Sequence, residues 1–272
     1  TSLGASSAAG GTFNLLSNGS VSSIVGRNLS ATDLVVTSTG GGFAFAGNLT
    51  GTNSISLTAN NNILQGNFAA PLTSNTVNLT STNGSIGDLA GNSRVVVNTS
   101  NLSANASGAG QNVFLQNTGA SSTIASTSSA GATFNLLSTN AISSGAGASI
   151  SGNDVSLTST TAGFSLAGNL TAPNSITLSA QNNILSGNFN APLTSTSVSL
   201  SSTAGSVGDL AGNNRLVVSA SNLVANATGA AQNVFLRNTG AATNFTAASG
   251  AGAAFNVLSN GSISSAAGAA LT

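Results

Sequence analysis

Residues 13–17 read Phe-Asn-Leu-Leu-Ser, the same five return at 134–138, and Phe-Asn-Val-Leu-Ser stands at 255–259. Each step is 121 residues, and two further strings keep it: Gln-Asn-Val-Phe-Leu begins at Gln111 and Gln232, and Asn-Asn-Ile-Leu at Asn61 and Asn182. Residues 47–74 and 168–195 agree at 21 of 28 positions, so the chain is built from tandem copies. The super-repeats are 1–121 and 122–242, with a partial third at 243–272. A fixed period of this kind signals a repeat architecture, in which each unit covers the next.

A shorter unit lies inside the long one. In Phe13-Asn14-Leu15 the outer residues are apolar and the middle one is free to vary. Triplets of this form start at Phe13, Leu34, Ile55, Val77, Val95, Val113 and Phe134, in steps of 21, 21, 22, 18, 18 and 21. The second copy continues at Val155, Ile176, Val198, Leu216 and Val234, and Phe255 makes the thirteenth. Alternation over a few residues marks a strand with one buried face. Turn residues follow most triplets, as at Asn18-Gly19, Gly40-Gly41-Gly42 and Asn83-Gly84, where backbone with positive φ is tolerated.

Other apolar positions fall into two more columns. Val21, Phe43, Ile63, Ile86 and Leu102 suggest a second side, and Leu29, Leu49, Phe68 with Leu72, and Leu89 a third. A helical reading fails because Gly, Ser, Thr and Asn fill every window, and these residues either cost helix entropy or compete with it through local hydrogen bonds. The expectation is an all-β, right-handed parallel β-helix over residues 1–272, one continuous β-solenoid. It would have about thirteen rungs of 18–22 residues inside a 121-residue super-repeat, with Phe13, Phe134 and Phe255 at one depth. Right-handedness follows the general preference of parallel crossovers. Asn60 to Asn62, Asn182 and Asn183 can form amide ladders between rungs.

Composition narrows the chemistry. Four Arg and four Asp are the only charged residues among 272, the net charge is zero, and Lys, Glu, His, Cys, Met, Trp and Tyr are all absent. Disulfides, thiolate metal sites and Lys–Asn isopeptide crosslinks are therefore impossible, and no basic cluster is present to meet nucleic acid phosphates. No apolar run is long enough to span a bilayer.

General-base work usually falls to His, Glu, Asp or Lys, which leaves Asp33, Asp88, Asp154 and Asp209. Asp154 repeats Asp33, and Asp209 repeats Asp88. Asp88 in Gly-Asp-Leu-Ala-Gly-Asn stands six residues before Arg94, and Asp209 six before Arg215; a local ion pair or a carboxylate capping turn amides explains both. One Asp in every two or three rungs is too sparse for a calcium cage, which needs several oxygen ligands together. Arg27 and Arg237 have no period mates and read as tolerated surface changes. Thr37/Thr39, Thr80/Thr82 and Thr158/Thr160 do not recur at every rung, as an ice-binding face requires. Triplets such as Asn48-Leu49-Thr50 arise by chance in such a composition. No catalytic, cofactor or metal site is expected, and the chain is read as a non-enzyme.

The apolar-x-apolar triplets and Asn-Gly turns, in a chain poor in charge and rich in Ser, Thr, Asn, Gly and Val, resemble the shafts of filamentous-haemagglutinin-type adhesins and related giant β-strand-repeat surface proteins of bacteria. The NPNL-type motif of that family's secretion domain has no match here. The resemblance implies an exported structural segment of an extracellular bacterial fibre or adhesin shaft, at the cell surface. The implied partners are further copies of the same repeat, in the same chain or end to end, and surface or matrix carbohydrate. A self-stacking filament subunit and a carbohydrate-binding β-helix are the alternatives.

Overall fold

The computed structural model describes residues 1–3, 7–8, 10–88, 93–188, 190–209 and 215–272. Leu89 and the interiors of both Gly-Asp-Leu-Ala-Gly-Asn segments lie outside them. The described residues contain strands, turns and bends and no helix, and their parallel coils stack as a β-solenoid of about 12 turns. Two compact units divide the chain, Thr1–Leu137 and Ser138–Thr272.

In the first unit the strands Asn28–Ser38, Asn48–Ala59 and Leu72–Ser81 lie one on another, all parallel. Each carries two buried runs. Leu29, Leu49 and Leu72 are register partners in one run; Leu34, Ile55 and Val77 are partners in the other, which Phe13 opens and Leu102 and Ile124 continue. A register shift between Ala31 and Asp33, and between Gly51 and Ser54, separates the two runs. Short strands supply a third run, in which Val21, Phe43 and Ile63 are followed by Ile86 and Val113. Leu34, Val36, Ile55, Ile63, Val77, Leu79 and Ile86 are fully buried. Each such aliphatic side chain contributes about 1.5–3 kcal/mol relative to exposure.

The second unit repeats the plan. Val155, Ile176, Val198, Leu223 and Phe245 form one column, and Ile150, Leu170, Leu193 and Val218 another. Ile142, Phe164, Ile184, Val207, Val234 and Phe255 form the third.

The thirteen triplets do not make a single column. Val77 is followed by Leu102, while Val97 pairs with Leu72 and Val95 with Leu115. Val113, not Leu102, continues the short run after Ile86. The change of side comes after Ile86. Gly87 turns with φ 73, and Asp88 and Ser93 exchange backbone hydrogen bonds of 2.8 Å across an antiparallel bridge. A side chain at Gly87 would strike the Phe114 carbonyl. Beyond this bridge Val95 and Val97 stand on a different side from Val77. Spacing between stacked partners accordingly ranges from 20 residues at Asn28/Asn48 to 27 at Ser85/Asn112.

A second departure concerns the 121-residue period. In the first unit Thr12–Ser17 pairs with Asp33 to Ser38, on the long-strand side. Its copy, Thr133–Ser138, pairs with Val113–Asn117, whose first residue stands in the short-strand column. The second unit shows the same offset: Ile142 pairs with Phe164 on the short-strand side, whereas its copy Ile263 pairs with Thr243, beside the column of Leu223 and Phe245. Phe13 and Phe134 therefore occupy different columns. One super-repeat carries the chain through five coils and one additional run.

Candidate functional site

Asp33 and Asp154 begin the inner run of their strands and meet the next coil in the same way. Asp33 Oδ1 accepts from Ser54 Oγ at 2.6 Å and Asn53 Nδ2 at 2.7 Å. Asp154 Oδ1 accepts from Ser175 Oγ at 2.5 Å, and its Oδ2 from Asn174 Nδ2 at 3.5 Å. The Ser54 hydroxyl, then the Asn53 amide, hold the Asp33 carboxyl below its ordinary value, because both donate to the ionised form. These are coil-to-coil hydrogen bonds by a carboxylate. Among the described residues no three His, Cys, Asp or Glu side chains gather where they could share a metal ion.

Arg94 and Arg215, each six residues after an Asp, both reach to later coils. Arg94 Nη1 donates to the Leu115 carbonyl at 3.1 Å and to Asn135 Oδ1 at 2.8 Å. Arg215 Nη1 donates to the Leu236 carbonyl at 3.3 Å and Asn256 Oδ1 at 2.9 Å. Burial lowers the Arg94 guanidinium below its ordinary value, and it remains a cation. Arg27 and Arg237 are exposed.

Asparagine does more than the turn reading suggests. Asn83 Nδ2 donates to Asn60 Oδ1 at 2.7 Å and Asn48 Nδ2 to Asn28 Oδ1 at 3.0 Å, two separate amide-to-amide contacts between coils. Asn62 and Asn183 use Oδ1 instead to accept the amides of Ser85 and Ser206, each at 2.8 Å. Sequence reasoning missed Asn117 and Asn238, which are wholly buried. Asn117 Nδ2 donates to Ser122 Oγ at 2.7 Å and the Thr99 carbonyl at 2.9 Å, and Oδ1 accepts from the amides of Gly119 at 2.9 Å and Thr99 at 3.2 Å. Asn238 makes the matching set with Thr243, Ala220 and Gly240. Their signal was an Asn two residues beyond Gln-Asn-Val-Phe-Leu in both copies, while the residue between changes from Gln116 to Arg237.

Each unit also has an open groove where its long strands bend. In the first unit the groove holds about 410 Å³, lined by residues that include Thr50, Thr52, Thr73, Asn75 and Ser100. In the second it holds about 500 Å³, with Thr171, Pro173, Thr194, Thr196 and Ser221 at the matching repeat positions. The linings are hydroxyl, amide and small apolar groups without charge. Such a surface can exchange hydrogen bonds with a neutral polar molecule, and it supplies no acid, base or nucleophile with an activating partner. Thr37, Thr58 and Thr80 stack in register, but Leu16 and Asn105 end the row. No family model matches the sequence, and no curated protein or solved structure shows significant similarity to it.

Proposed function

We propose that this chain is a structural segment of an extracellular bacterial fibre or adhesin shaft, without catalytic activity. The observation that carries the reading is the direction in which its interactions run. Backbone ladders, apolar columns and the Asp33, Asn83 and Arg94 hydrogen bonds all join one coil to another. A chain whose polar side chains are spent on holding successive coils together is suited to extension and spacing. Its lack of Lys, Glu, His and Cys supports the non-enzymatic part of the reading. The test is immunogold labelling of intact cells with antibody against the 121-residue repeat. Label on filaments or on the surface is expected; label found only after lysis overturns the reading.

A second reading, binding of neutral carbohydrate, is favoured by the hydroxyl-lined grooves that recur at matching positions of both units.

A further inference from the structure

Successive repeats meet through the same pair of strands in both units. In the second unit Phe255–Ser259 lies against Val234–Asn238 with every residue in register, from Val234↔Phe255 to Asn238↔Ser259. Arg215 spans this contact to reach Asn256, 41 residues away. In the first unit Thr133–Ser138 lies against Val113–Asn117, and Arg94 spans to Asn135, again 41 residues away. One guanidinium thus serves a carbonyl of the intervening strand and the Asn of the strand that opens the next repeat. Several rigidly placed N–H donors make Arg suited to that double contact.

The third copy of the opening strand is Thr12–Ser17. It pairs with Asp33 to Ser38 on one edge. Leu16 is 68% exposed, and Asn14 is exposed, its side chain making no hydrogen bond among the described residues.

We propose that the open edge of Thr12–Ser17 is a docking edge for the Gln-Asn-Val-Phe-Leu strand of another copy of the 121-residue repeat, whose arginine would close on Asn14. The contact made twice elsewhere in this structure, by nearly identical residues on both sides, is the ground for naming that occupant. A second intact copy offers no such strand, since its Val113–Asn117 and Val234–Asn238 are already covered. The proposal deepens the reading of the chain as a serial repeat.

The test is to extend the chain at its N-terminus with a second copy of residues 79–121, which precede residue 122 in the natural phase. Hydrogen exchange of the amides at 12–17 is the readout, against an extension of scrambled order. The native extension should slow those amides by about tenfold or more, as expected when an open strand edge becomes paired. Equal exchange with native and scrambled extensions overturns the docking edge. An extension carrying Arg94→Ala should lose part of the protection; full protection without the arginine overturns the clasp. Adding the unextended chain in excess should give none, and protection by it would overturn the choice of occupant. Because purified protein is used, failure here is separate from failure of the surface labelling.

Discussion

The six residues Thr-Phe-Asn-Leu-Leu-Ser occur as strands at 12–17 and 133–138, and their fates differ. Phe134 and Leu136 are wholly buried, whereas Phe13 and Leu15 are half-buried. Local propensity is identical, so the difference belongs to the neighbours. Thr133–Ser138 has Val113–Asn117 against it, while Thr12–Ser17 lacks that cover. In a protein of this kind a strand's contribution to stability depends on whether coils lie on both of its edges, as expected where stability is a sum of repeat and nearest-neighbour terms.

Placing a charge in the stacked interior should break the comparison most severely. Leu57 is register partner to Val36 and Leu79, covered on both edges, so Leu57→Asp buries an unpaired carboxylate. A loss of roughly 3–5 kcal/mol is expected in urea unfolding, with Leu15→Asp costing clearly less; equal losses would show that cover is not what sets the penalty. Removing the two phenylalanines sharpens the point. Phe134→Ala should cost about 3–5 kcal/mol, the range for a fully buried ring, and Phe13→Ala less than half of that. Matching midpoint shifts for the two variants would contradict the burial difference.

The smallest effect concerns pH at the exposed side of the same stack. Asp33 has its carboxyl lowered by Ser54 and Asn53, so its stabilising contribution is complete above the ordinary carboxylate value and is lost as pH falls through the lowered one. The stability gap between the natural chain and Asp33→Asn should be constant from neutral pH down to about 5 and narrow below 4. A gap that does not respond to acid would remove Asp33 from the account.

Much of the architecture was legible in the sequence, and the errors have one origin. The columns through Phe13, Leu34, Ile55 and Val77, and through Leu29, Leu49 and Leu72, follow from alternation because regular strands separated by short turns keep their phase. Prediction fails after Ile86, where the antiparallel Asp88–Ser93 bridge interrupts the parallel pairing. A spacing of 18 between triplets there looks like a short rung, although it is the distance between strands on different sides. Periodicity cannot distinguish the two, since an apolar-x-apolar triplet reads alike on any face. The polar contacts were less legible. Arg94 finds an acceptor 41 residues along the chain because the stack brings Asn135 to it. Asn117 was hidden by the composition: among so many asparagines, only its return as Asn238 one period later marks the one that fills the interior.

Because the 121-residue period overshoots five coils by one run, duplication of a whole period leaves every backbone ladder intact while rotating the decoration. A gene that lengthens in such steps keeps its folding register at each step, whatever the number of copies. An epitope or modification tied to one place in the period would be handed to a new flank with each duplication, so no single flank would gather all of them.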